Sequence, residues 1–164
     1  MSRSFVMVHH SLTKDGVTVS WQAIRRYHTS YRRAGNIVSP REAASLRAAG
    51  MLVEAPWQDI GYHAGVEMVN DHLEALLGRP ETDDAAACKE GKMNALALHV
   101  CLIGNFDIAP PSDALLQFAA HYVIHPWMVR YGIEKARVVR HHDFAPYKTC
   151  PGTQLDMSRL RGML

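Results

Sequence analysis

The chain reads as a single α/β domain, a mixed central β-sheet flanked by helices, and three observations lead there. Short apolar runs of strand length alternate with longer stretches of helical periodicity. The 164 residues, 48% hydrophobic, suffice for one core, and no Pro-, Gly- or Ser-rich linker divides them. A net charge of +2, with charged residues at 21%, is too weak a positive balance to suggest nucleic acid. No run reaches the roughly 20 apolar residues of a membrane-spanning helix.

The first strand is "FVMV" at residues 5–8, apolar and then abruptly polar, with His9 at its carboxyl end. A polar turn, "TKDGVT", precedes "SWQAIRRYHTSYRR", where Trp21, Ile24, Tyr27 and Tyr31 fall at helical spacing behind an N-cap Ser20. Arg25, Arg26, Arg32 and Arg33 are expected on that helix's solvated face. "SPREAASLRAAG" predicts a second helix: Ser39 and Glu42 form a capping box, Pro40 takes the first helical position, and Gly50 stops it. Two β-like runs around Asn70-Asp71 predict a hairpin, although Leu73–Leu77 also suits a helix. "ETDDAAACKEGKMN" reads as an irregular loop. "ALALHVCLIGNF" is a central strand, with Asn94 at its start and Cys101 as a small buried hydrophobe. Pro110, Pro111 and Ser112 open a helix that Pro126 must kink or end, and "ARVVRHH" is the last strand.

Three cysteines, an odd number, argue against a disulfide framework. The amino-terminal apolar run is too short for a signal peptide, so synthesis in the cytoplasm is expected. Ten histidines exceed what this length needs, and their positions carry the argument. His9 and His141 stand at strand ends, and Cys150 lies in the loop after the second. Strand ends and their loops are where sites assemble in α/β sheets. Two imidazoles and one thiolate match a catalytic zinc, which takes three protein ligands and keeps a position for water. The residues equally allow buried core histidines and an inert cysteine.

"VHHS" at 8–11, "DIGYH" at 59–63, "HVCLIGNF" at 99–106 and "HHDFAPYKTCPG" at 141–152 resemble, in that order, the signature blocks of the zinc-dependent N-acetylmuramoyl-L-alanine amidases, including phage lysozyme-type amidases and peptidoglycan-recognition proteins. The resemblance spans nearly the whole chain and implies Zn2+ as cofactor, with His9, His141 and Cys150 as its ligands. Tyr147 lengthens the loop to the cysteine by one residue, which leaves His142 as the alternative register. The resemblance further implies catalytic roles for Tyr62 and Lys148, a groove position for Asn94, and hydrolysis of the amide joining N-acetylmuramic acid to L-alanine in peptidoglycan or a muropeptide. Arg79 is a candidate for a stem-peptide carboxylate. His63 is expected to be structural, and Asp143 to orient His141 or cap its loop.

Cys150, where recycling amidases of the same superfamily have aspartate, places the chain nearer the phage and recognition-protein branch. A phage or prophage lysis enzyme is the first expectation, with a cytosolic recycling amidase and a non-catalytic binding module as alternatives. Residues 1–164 are expected to form one amidase domain, acting as a monomer without a separate wall-binding domain, nucleic acid or stable membrane association. A helical segment at about 32–56 stands out as an insertion relative to the family.

Overall fold

The computed structural model describes residues 3–12 and 20–164, so the polar turn expected over 13–18 lies outside the described residues. Strand β1 is Phe5–His10 and helix α1 Trp21–His28, capped by Ser20, whose hydroxyl accepts from the Ala23 N–H. The helix ends earlier than its periodicity suggests: Tyr31–Arg33 is β2, paired antiparallel with β3, Asn36–Val38. Arg32 is consequently not on a solvated helix face. It is buried, lies over the Tyr27 and Trp57 rings, and pairs with Glu54 at 3.2 Å. Helix α2, Pro40–Ala48, carries the predicted Ser39 cap and first-turn proline. The stretch expected as a helical insertion thus folds as a hairpin followed by a helix.

β4, Ala64–Val69, and β5, His72–Leu77, form the hairpin, with Asn70 and Asp71 both at positive φ in the turn. The expected loop before the central strand ends in a short helix, α3, Met93–Leu96, so Asn94 is helical and β6 is Ala97–Leu102. α4, Asp113–Ala119, runs through a π-turn at Ala120–Ile124 into α5, His125–Tyr131. Pro126 therefore does not end the helix. The turn widens just upstream, where proline's missing N–H and ring would otherwise disrupt regular bonding. β7, Val138–Arg140, and α6, Met157–Gly162, complete the chain.

The sheet order is β5-β4-β6-β1-β7; only the β4–β5 pair is antiparallel. This mixed sheet has helices on both faces, as the sequence predicts. Register decides what each face holds. Met7 pairs with His99 and His9 with Cys101, so these four side chains share one face. Val6, Val8, Leu98, Val100 and Leu102 take the other and pack with Leu116, Ile124 and Leu160 in the main core. Each such aliphatic side chain contributes roughly 1.5–3 kcal/mol on burial. A one-residue slip of β1 would exchange its faces, driving His9 into apolar packing, so the valines fix which histidine faces the site.

Candidate metal centre

His9 lies near the carboxyl end of β1, and His141 begins the short 3-10 turn His141–Asp143 immediately after β7. Asp143 caps that turn, accepting from the Arg140 N–H and guanidinium, so of its two expected roles it takes the cap. Successive turns then fold the loop back: Ala145 N–H donates to His141 O, Lys148 N–H to Ala145 O, and His142 N–H to Cys150 O at 2.8 Å. Gly152 makes the return possible. Its φ is +110°, and a Cβ there would sit 2.5 Å from the Phe106 backbone. Asp107 pins the same loop by accepting from the Thr149 hydroxyl and the Thr153 N–H.

The result brings His9, His141 and Cys150 together, one donor atom of each within 4.8 Å of the others. His9 Nδ1 is 3.5 Å from Cys150 Sγ, and the His9 and His141 ring centres are 4.8 Å apart. His142 is turned away, with its Nδ1 against the Lys148 carbonyl at 2.5 Å. His10 faces the opposite side of the sheet from His9, as strand alternation predicts, and its Nδ1 accepts from the Phe106 N–H.

The electrostatics suit a cation. Burial, reinforced by His99 and His141, holds the His9 imidazole well below its ordinary pKa, and burial lowers that of His141. Both rings are therefore neutral at pH 7 and keep a lone pair to give. Burial pushes the Cys150 thiol up to about 12, so a nearby positive charge is required before it becomes a thiolate. Two neutral imidazoles and one thiol that only a metal would ionise fit zinc, which accepts nitrogen and sulfur in a set of this size.

Above these groups opens a cavity of about 510 Å³ whose walls include Trp57, Tyr62, Cys88, Glu90, Asn94 and Lys148. The Tyr62 ring centre is 5.1 Å from that of His9. The ring packs against Trp21, Ile60 and Cys101 behind the site, and burial raises its pKa well above the ordinary value. Lys148 stands in the wall with its ammonium 5.6 Å from the Tyr147 ring centre. Asn94 lines the groove, but its side-chain oxygen accepts from the Ala87 and Cys88 N–H groups and so holds the 85–88 wall in place. Arg79 is elsewhere: its guanidinium donates to the carbonyls of Ile60, Asp84 and Asp59, and it lines a separate pocket beside Trp127. An arginine in an exposed "GRP" reads as free for a ligand, whereas here three backbone oxygens engage it. His63 is structural, bonded to the His99 N–H and the Asp83 carbonyl.

Sequence reasoning missed His99, whose Nδ1 lies 2.9 Å from His9 Nε2. The register of its strand against β1 was the signal, and it is visible only once the two strands are paired. Glu90 and Tyr147 were also missed. Their 2.5 Å hydrogen bond closes one end of the groove between segments 57 residues apart.

An α/β sheet carrying two imidazoles and a thiol beneath an open groove has the make-up of a metal-dependent hydrolase. The pattern of the N-acetylmuramoyl-L-alanine amidase family matches residues 1–153, and the chain belongs to that family. No curated protein is matched. Solved structures share the fold. An AmpD crystal structure superposes with a TM-score of 0.68 at 20% identity, covering 100% of this chain and 86% of its own. The Ph2119 endolysin from the Thermus scotoductus MAT2119 bacteriophage gives 0.66 at 18% identity, covering 99% and 85%. A variant of Drosophila PGRP-LB in complex with tracheal cytotoxin gives 0.62 at 21% identity, covering 94% and 79%. The His9–His141–Cys150 cluster is consistent with the catalytic zinc site of such an amidase. Among the described residues, no helix is long and apolar enough to cross a membrane.

Proposed function

We propose that this protein hydrolyses the amide between N-acetylmuramic acid and L-alanine in peptidoglycan, with zinc held by His9, His141 and Cys150, and that it acts as a lysis enzyme of the phage type. The observation that carries the reading is the convergence of those three donors, from β1, the turn after β7 and the following loop, on the floor of the groove. Zinc in such a site lowers the pKa of a bound water to about 7 and polarises the scissile carbonyl. The chain's own residues supply the remainder. Lys148, a cation in the groove wall, stabilises the oxyanion and lends a proton to the departing amine. Tyr62, packed against Trp21, Ile60 and Cys101 with its ring beside that of His9, orients the reacting carbonyl. Asn94 acts through the wall it holds. Likeness to endolysins supports action on the polymer, while the tracheal cytotoxin complex of a neighbour favours a soluble muropeptide as the second reading.

Mass spectrometry of purified peptidoglycan, and separately of a soluble anhydro-muropeptide, after incubation with and without a zinc chelator tests this. Chelator-sensitive release of stem peptides with a free L-alanine amino terminus from intact wall is expected. Cleavage of the soluble substrate alone would replace the lytic role by recycling. No cleavage of either despite bound zinc would refute catalysis and leave a binding module.

A further inference from the structure

His99 sits within β6, wholly buried, on the sheet face that carries His9. Its Nε2 lies 3.0 Å from the main-chain oxygen of Met93. A carbonyl oxygen only accepts, so Nε2 carries the His99 proton and Nδ1 presents a bare lone pair. That lone pair meets His9 Nε2 at 2.9 Å, with the two rings within 23° of coplanar. Since His99 Nδ1 can only accept, the His9 proton is on Nε2. The other His9 nitrogen, Nδ1, is then unprotonated, and it is the one 3.5 Å from Cys150 Sγ.

The acceptor is itself held. The His99 main-chain N–H donates to His63 Nδ1 at 2.9 Å, and His63 Nε2–H donates to the Asp83 carbonyl at 2.9 Å. Hydrogen bonds therefore run unbroken from the Met93 carbonyl through His99 to His9.

We propose that His99 is a positioning residue for the metal centre: by accepting the His9 Nε2 proton it locks His9 in the tautomer whose Nδ1 lone pair faces the metal site. The inference rests on the metal reading above. A ligating imidazole that donates its far N–H to a fixed acceptor has its ring orientation and proton already set, and loss of such a partner costs about 10- to 100-fold in metal affinity. His99 does this from a neighbouring strand with a neutral ring, so it adds no charge to the centre.

Two measurements test the proposal. In the metal-free, 15N-labelled protein, the His9 ring is expected to show a protonated Nε2 and a bare Nδ1, with scalar coupling to His99 Nδ1 across the N–H···N bond. A proton on His9 Nδ1 would overturn it. Zinc affinity, read by competition with a chromophoric chelator at neutral pH, is expected to fall about 10- to 100-fold in His99→Leu and to stay within about threefold of the parent in His99→Asn, whose amide oxygen replaces the acceptor. Parent-like affinity in a folded His99→Leu overturns the proposal. Should the leucine variant fail to fold, a His99→Asn that folds yet loses tenfold or more does the same. A parent that binds no zinc would refute the metal centre itself, and the ring spectra of the metal-free protein keep that failure separate from failure of the His9–His99 bond.

Discussion

Replacing Cys150 with serine removes the one donor in the cluster that must change its protonation state to bind a metal. Burial raises the thiol to about 12, so at pH 7 the metal-free site holds S–H, and forming the thiolate costs about 7 kcal/mol, roughly five units at about 1.4 kcal/mol each. Zinc must overcome that cost, and the proton leaves as the metal enters. His9 and His141 contribute no such proton above about pH 6.5, because burial holds both below the ordinary imidazole value. The parent should therefore release one proton more than Cys150→Ser. The sign follows directly: the parent's advantage in zinc affinity grows with pH, about tenfold per unit between roughly pH 7 and 9. At pH 7 the variant should already bind at least about 100-fold more weakly, at or beyond the upper end of what losing a ligand's hydrogen-bond partner costs. Chelator competition at several pH values reads the ratio, and cobalt substitution reads the sulfur through its thiolate-to-metal absorption. A ratio that does not change with pH, or an absorption band surviving in the serine variant, would refute the reasoning.

Lys148→Ala should bind zinc as the parent does but lose about 100-fold or more in kcat, as expected for a group acting mainly in the transition state; an unchanged turnover with normal zinc content removes it from the mechanism. His141→Ala should abolish zinc binding and His142→Ala should not, because only His141 faces the cluster; metal analysis of the purified variants decides, and the reverse result would shift the register by one residue. Glu81 accepts from Trp127 Nε1, the Arg130 guanidinium and the Tyr131 hydroxyl, tying the chain after β5 to α5. Glu81→Ala leaves the buried indole N–H unpaired and should cost about 2 kcal/mol, lowering Tm by roughly 4–8 °C. These same partners hold the Glu81 carboxyl below the ordinary range. The charge-linked part of its stabilisation is thus present above the unfolded-state value near 4.5 and is lost as pH falls through the lower folded value, so the gap between parent and variant should narrow in strong acid by calorimetry.

Much of this molecule is written in local sequence. The Ser39-Pro40-Glu42 pattern specified α2 because a cap and a first-turn proline act within one helical turn. Asn70-Asp71 specified the β4–β5 hairpin because the turn itself demands positive φ. The apolar runs of β1 and β6 announced a buried sheet, and the four blocks, three of which bear His9, Tyr62, His141 and Cys150, pointed to the amidase family before any contact was known. Where local signals were ambiguous they failed: Tyr31 continued the helical spacing of α1, yet its segment pairs with Asn36–Val38 and bridges to Glu54, a choice made by residues distant from the helix.

Sequence alone determined most of the element types and the family, and it singled out His9, His141 and Cys150 as candidate metal donors, because capping, turn chemistry and side-chain period act over a few residues. Only the tertiary structure decided that His141 rather than His142 faces the cluster, that Arg79 bonds backbone carbonyls away from the groove, that Asn94 holds the groove wall, and that His99 backs His9. These depend on strand register and loop closure between segments up to 141 residues apart. A one-residue difference in pairing exchanges the two faces of a strand, and which residues then meet across the sheet depends on a partner strand far away in the sequence.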